Sequence, residues 1–419
     1  MAHKSHTPST LASTMQMRTR KEKKFDEIES SLGLAKSSTV PLAQGKSWFT
    51  SWLNRLKILQ PFAKPATDND VVWLLDNTAY RSLRTGTWQA EFVAAVFERE
   101  DKETLMEMVT AVVRATGLSD DAAERATVEE RVLPFLWDIR PATIVTVNQV
   151  SKELKLGPTN INGLSSNVLN VFSSNKGSLL KASTKIGGGW GSIAKMQTYY
   201  AGEDGWGIIS DIDDTIKVTM TSDPVGILRE TFISSPAPIP GMPELYADIK
   251  SFLPNDTAWF YLSASPYNLY PFLKQFRRKY YPPGTLILRD SSWKTVAGLL
   301  SALTLRTEEY KVDRMKKINT WLPRRKMIVI GDSTQSDPEA YGEMQVHSML
   351  YRTVPGWIQL ILIRKATNIA AVGIDEKNEA ERFEKAFQDI PRDAWHVFED
   401  PAECMDIVMK TTQQGQHEP

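Results

Sequence analysis

One cysteine, Cys404, stands in a chain of 419 residues. No intrachain disulfide can form, and such usage fits a reducing compartment. With that single thiol and five scattered histidines, a zinc site of thiolates and imidazoles is not expected. Charge of one sign is missing as well. Fifty basic side chains meet fifty acidic ones, without the basic excess of a general nucleic-acid binder. No apolar run approaches the ~18 residues that cross a bilayer. The opening "MAHKSHTPSTLASTMQMRTRKEKK" lacks the apolar core of a secretory leader. These absences point to a cytoplasmic protein, either soluble or attached to membranes from outside. Apolar residues are 42% of the chain, enough for sizeable cores, and the length suggests two to three domains at about 150 residues each.

The texture changes several times along the chain. Residues 1–45 are polar and aperiodic and read as a disordered tail. Residues 46–64 read as an amphipathic helix that brings Trp48, Phe49, Trp52, Leu53, Leu56 and Leu59 to one face. Its aromatic and basic character suits a helix lying on anionic lipid, and packing on the next domain accounts for it equally. Residues 65–172 read as a β-rich domain, from the β-branched and aromatic runs "VVWLLDNTAYR", "WQAEFVAAVF", "RVLPFLWDI" and "ATIVTVNQV". "ETLMEMVTAVVRAT" reads as a helix within it. Residues 173–200 carry glycine, serine and four lysines without an acid and read as a linker. A basic loop touching lipid headgroups is the other reading.

From residue 201 to about 410, apolar strands alternate with helical segments. The strands are "WGIIS", "AWFYLS", "TLILR", "KMIVIG" and "LILIR". That rhythm predicts an α/β unit with a parallel sheet covered by helices on both faces. Residues 411–419 read as a second disordered tail.

Ligands of open parallel sheets bind at the carboxyl ends of the strands, so the residues at those ends carry the functional argument. The first strand runs into "DIDDT", three carboxylates within four positions, including Asp211 and Asp213, followed by Thr215. The second ends at Ser263, with Ser265 close by. Lys311 opens a later helical segment, with Lys316 and Lys317 near it. Another strand runs into "GDSTQSD", which supplies Asp332 and Asp337. Gathered carboxylates call for a cation, and hard oxygen ligands select Mg²⁺. Asp211, Asp213, Asp332 and Asp337 are its candidate ligands. With a cation in place the acids can face a phosphate. One aspartate then attacks phosphorus and a second moves the proton, while Ser263 and Lys311 hold the transferring oxygens. Each motif alone is weak, because aspartate clusters also make turns and caps. Their order and their placement at strand ends give the set its weight.

At these residues the chain resembles the haloacid-dehalogenase-like (HAD-like) superfamily and, more narrowly, the fungal actin-patch-type phosphatidate phosphatases. The resemblance rests on "DIDDTIKVT", "YLSASPYNLYPFLKQF" and "MIVIGDSTQSDPEAYG". It extends through "VWLLDNTAYR", "TWQAEFVAAVF" and "ERFEKAFQDIPRDAWHVFEDPAEC" to cover roughly residues 40–405. It implies that Asp211 is the nucleophile, Asp213 the general acid and base, and Thr215 the group that orients them. Ser263 becomes the second-motif hydroxyl, with Ser265 the alternative. Lys311 becomes the third-motif amine, and Asp332 the Mg²⁺ ligand supported by Asp337. The implied substrate is phosphatidate in membranes, cleaved to diacylglycerol and phosphate by a peripherally bound enzyme. Short intervals between the motifs leave room for only a minimal cap, which suits a substrate at a membrane surface. Two other functions fit the same residues: a phosphatase of phosphoproteins or lysolipid phosphates, and an actin-patch adaptor with secondary activity. "PAPIPGMP", residues 236–243, holds a P-x-x-P element of the kind that SH3-containing endocytic proteins bind.

Overall fold

In a computed structural model, the described residues are 63–98, 122–150, 152–186, 191–290, 307–350, 356–367 and 373–414. The expected tail 1–45, the candidate membrane residues Trp48, Phe49 and Trp52, and the helix expected at 103–116 lie outside them.

Ten strands between Lys64 and Tyr200 belong to one sheet. They are β1 (Lys64–Pro65), β2 (Asp70–Leu74), β3 (Asn77–Arg81), β4 (Trp88–Glu98), β5 (Asp138–Ile139), β6 (Thr143–Gln149), β7 (Lys152–Leu156), β8 (Leu164–Asn170), β9 (Leu179–Ser183) and β10 (Lys195–Tyr200). The main path runs β1-β6-β9-β10-β3-β4-β2. The long strand β4 shows why this chain forms strands here. Its residues alternate strictly between buried and half-buried from Trp88 to Val93, the period-2 pattern of a sheet with one covered face.

Two expectations fail in this region. "RVLPFLWDI" is mostly helical, forming the end of the helix Ala122–Leu136 before the two-residue β5. Val128, Val132, Phe135 and Leu136 are all buried. Their spacing follows a helical stripe, and that period overrides β-prone composition. The segment read as a linker holds β9 and β10. Met196, Thr198 and Tyr200 are buried at alternate positions, and β10 lies between β9 and β3. Its glycine and serine mark turns, such as Gly177 at φ 80°, while its lysines point outward.

The second sheet is wholly parallel. It contains β11 (Gly205–Asp211), β12 (Ala258–Pro266), β13 (Thr285–Arg289), β14 (Arg325–Asp332), β15 (Ile358–Arg364) and β16 (Trp395–Phe398), in the order β13-β12-β11-β14-β15-β16. Its central strands are buried almost throughout, as a sheet covered on both faces requires. Ile208, Tyr261, Ile328 and Leu362 face one cluster, which the helices Met242–Phe252, Tyr270–Tyr280 and Cys404–Gln414 complete. Ile209, Phe260, Val329 and Ile361 face the other, against the helices Thr307–Trp321 and Asp337–Leu350. The α/β layering is therefore as expected.

Strand β16 is a sixth strand, beyond the five apolar runs read from the sequence. The helix Cys404–Gln414 also continues past Thr411, where a disordered tail was expected; Val408 and Thr412 are buried along it. Between the first two motifs stand two helices, Pro224–Phe232 and Met242–Phe252. The P-x-x-P segment is engaged with the turn after β11, since the Val218 N–H donates to the Ala237 carbonyl and the Ile239 N–H to the Ile216 carbonyl. Among the described residues, no helix is long and apolar enough to cross a membrane.

The two sheets share one hydrophobic cluster, which runs from Trp73 and Phe97 to Tyr261 and Ile328. Polar contacts lock the junction. Asp76, buried on the first sheet, pairs with Lys274 at 2.9 Å and Arg277 at 3.5 Å on the helix that follows β12. Removing one partner of a buried ion cluster strands the others. Asp76→Ala should therefore lower the unfolding free energy by about 3 kcal/mol in chemical denaturation. A loss within experimental error would show that this junction does not need the charge.

Candidate active site

The carboxyl ends of β11, β12 and β14 bring the expected residues into one place. Asp211 is the last residue of β11, and Asp332 the last of the neighbouring β14. Asp337 opens the next helix, where an acid is favoured by the helix dipole. Gly331 makes room for it. A Cβ at Gly331 would meet Asp337 Oδ2 at 2.6 Å, so glycine lets this carboxylate fold back against the strand. Asp337 Oδ2 then accepts the Asp332 backbone N–H at 3.0 Å.

Lys311, fully buried, reaches in from the helix Thr307–Trp321. Its ammonium lies 2.7 Å from Asp211 Oδ1 and also contacts Asp337 Oδ1. The neighbouring lysines are engaged elsewhere, Lys316 with Glu343 and Lys317 with Glu91. Thr215 Oγ1 stands 3.1 Å from both Asp211 Oδ2 and Asp332 Oδ2. Thr334, unread in the sequence, donates its backbone N–H to Asp332 Oδ1 at 2.6 Å and its hydroxyl to the same oxygen.

The three consecutive-looking acids of the opening motif have three different surroundings. Asp213 is held by hydroxyl groups. Its Oδ2 accepts from Ser263 Oγ at 2.5 Å and Ser265 Oγ at 3.3 Å, and its Oδ1 from Thr219 Oγ1 at 3.0 Å. Ser263 and Ser265 share a face because they are two apart on β12. Asp214 is structural. At φ 62° it occupies the left-handed region that aspartate tolerates better than most residues. Its carboxylate accepts the backbone N–H groups of Thr219, Met220 and Thr221 at 2.9, 2.8 and 2.7 Å. That side chain ties the loop after β11 into shape, a role that motif spacing does not reveal.

Among the described residues, Asp211, Asp332 and Asp337 each offer an oxygen within 4.8 Å of the others. The cation set expected from the sequence thus loses Asp213, whose carboxylate is held by the serines and Thr219. Three converging hard oxygen donors fit Mg²⁺. Asp211 Oδ1 is buried and faces the Lys311 ammonium at 2.7 Å.

Electrostatics point the same way. Burial pushes Asp211 well above the ordinary carboxylate range; Lys311 opposes this, while Asp337, Asp332 and Asp213 reinforce it. Asp332 is pushed up to about 7, by burial first and then by Asp337. Burial pulls Lys311 down, but Asp211, Asp337 and Asp332 outweigh it and hold the ammonium above its usual value. Thr215 has one proton for two carboxylates, so its second contact is satisfied when one of them is protonated.

Residues 206–365 match the family model described as "Phosphatidate phosphatase APP1, catalytic domain". The matched segment is thus similar in sequence to that catalytic domain. The chain is also 28% identical over 289 residues to phosphatidate phosphatase APP1 of Saccharomyces cerevisiae. That alignment covers 64% of this chain and 48% of the relative, so the chain spans about half the relative's length. The resemblance read from the motifs is therefore borne out for this segment, which begins at β11 and ends just after β15.

A pH dependence follows from Asp332. Its folded pKa lies above the ~4 of an unfolded aspartate, so the folded state binds a proton that the unfolded state releases between the two values. Its contribution favours folding at low pH and is lost as pH rises towards about 7. In divalent-free buffer, the stability of the wild type relative to Asp332→Asn should fall across that window. A relative stability that rises with pH would contradict the assignment.

Proposed function

We propose that this chain is a Mg²⁺-dependent phosphatidate phosphatase with an HAD-like catalytic unit, releasing diacylglycerol and phosphate through an aspartyl-phosphate. The observation that carries the reading is the contact of one buried lysine with both Asp211 and Asp337, beside Asp332. A solvated or structural lysine has no need of such company. The match of residues 206–365 to the APP1 catalytic domain supports the same substrate class.

In this reading Asp211, Asp332 and Asp337 hold the cation, which when bound offsets their charge and draws in the phosphate. Asp211 Oδ attacks phosphorus, and the bond to the departing oxygen breaks as Asp213 gives that oxygen a proton. Asp213 then takes a proton from the water that attacks phosphorus, releasing phosphate and restoring Asp211. Lys311 and Ser263 steady the phosphoryl oxygens, with Ser265 behind Ser263. Thr215 keeps Asp211 and Asp332 in register. Ser263 is bonded to Asp213, so engaging phosphate requires its hydroxyl to turn.

Two helices of modest length between the first two motifs favour an open mouth, which suits a phosphate presented by a membrane. Peripheral attachment to cytoplasmic membrane faces, at cortical actin patches, belongs to the same proposal and rests on the motif resemblance.

Phosphate release from phosphatidate vesicles should need Mg²⁺ and stop on chelation. Asp211→Asn should lower turnover by at least about 10³-fold, the scale expected when a covalent nucleophile is removed. Activity surviving in the purified Asp211→Asn protein would refute the nucleophile. A phosphopeptide hydrolysed faster than phosphatidate would transfer the substrate assignment to phosphoproteins.

A further inference from the structure

Lys217 has no part in the reaction above, yet it lies buried in the turn after the acidic run, 1% exposed. Its ammonium donates to the Val218 carbonyl at 2.9 Å and to Thr219 Oγ1 at 3.2 Å. It also stands 5.5 Å from the centre of the Phe272 ring. That ring carries a second cation, the Arg131 guanidinium at 4.7 Å. Arg131 is itself tied to the carbonyls of Thr231 and Ser234 at 3.2 and 2.7 Å. A buried ammonium bonded directly to a carbonyl and a hydroxyl is a costly way to fill space. Burial draws its proton affinity down, and Asp213 and Asp214 sustain it.

The hydroxyl between Lys217 and Asp213 supplies a reason. An ammonium only donates, so Thr219 Oγ1 must accept from Lys217. Its single proton is left for Asp213 Oδ1 at 3.0 Å, the Lys217 carbonyl at 3.3 Å being the longer alternative. The opposite oxygen is treated alike. Ser265 N–H donates to Ser263 Oγ at 2.9 Å, which directs the Ser263 proton to Asp213 Oδ2. Asp213 is gripped from both sides, and one grip ends in Lys217.

We propose that Lys217 is a positioning residue for Asp213, acting through Thr219 to aim its carboxyl at the oxygen that leaves phosphorus. The inference rests on the reading of Asp213 as proton donor, and its consequence depends on the leaving group. An alkoxide must receive the proton from Asp213 as its bond to phosphorus breaks and the Asp211 oxygen bonds to phosphorus. A nitrophenolate departs as the anion and needs no proton.

The test compares Lys217→Met and Thr219→Val with the wild type on short-chain phosphatidate in mixed micelles and on 4-nitrophenyl phosphate. Both variants should lose about 10²-fold in kcat/KM on phosphatidate and stay within about threefold in kcat/KM on the nitrophenyl ester, since kcat/KM reports the step that expels the leaving group, ahead of the hydrolysis common to both esters, and general acid catalysis contributes on that scale. Thr219→Val is nearly isosteric and decides the matter if Lys217→Met does not fold. Equal losses on both esters, or no loss on phosphatidate, would overturn the positioning role. A wild type inactive on both esters would instead overturn the phosphatase reading, and this inference with it.

Discussion

Like-charged carboxylates crowded into a water-poor place are the constraint that organises this molecule. Asp211, Asp332 and Asp337 sit together at the ends of adjacent strands with one ammonium among them. Their arrangement is unfavourable by itself. It persists because neighbouring groups hold it rigidly: the parallel pairing of β11 with β14, the space left by Gly331, the Asp332 N–H and the Thr334 donors. The residual imbalance, more acid than base, is what gives the site its use. In the proposed reading it admits a cation, and through the cation an anion that the bare cluster would repel.

The first sheet contributes to this precision, although it lies outside residues 206–365. Tyr267, just beyond the second-motif serines, donates its hydroxyl to the Asn162 carbonyl at 2.5 Å. The neighbouring Asn268 amide donates to the Pro134 carbonyl at 2.8 Å. At the end of β13, Asp290 accepts from Asn160 at 2.9 Å and from Asn162 at 3.2 Å. These bonds fix the corner from which Ser263 and Ser265 project. With the shared hydrophobic cluster, they make the junction part of the scaffold of the site and not a loose tether.

Much of the site was legible in the sequence because strand ends announce themselves. An apolar run of five or six residues followed at once by Asp or Ser places that side chain at the sheet edge, and Asp211, Ser263 and Asp332 all obey this. Lys311 needed the order of motifs, and choosing it over Lys316 and Lys317 needed the structure. Less was legible where one residue type serves several ends. Asp213 and Asp214 read alike in "DIDD", yet one is held by hydroxyls and the other by backbone N–H groups, a difference set by local dihedrals. The helix Ala122–Leu136 was missed because Val132, Leu133, Phe135 and Leu136 are as common in strands, and β9 and β10 because lysine and serine on outward positions hide a buried alternation. Lys217 and Thr219 carried no signal beyond their nearness to the acidic run.

The central claim is that the three clustered acids are kept for a divalent cation. Isothermal titration of Mg²⁺ into the metal-free protein near neutral pH, repeated in buffers of different ionisation enthalpy, tests it most directly. The account predicts one ion bound per chain with release of a proton, because burial and mutual crowding raise the proton affinity of Asp211 and Asp332 and a cation competes for the same oxygens. Binding should be lost in Asp332→Asn. Heat without proton release, or Mg²⁺ binding unchanged in that variant, would contradict it.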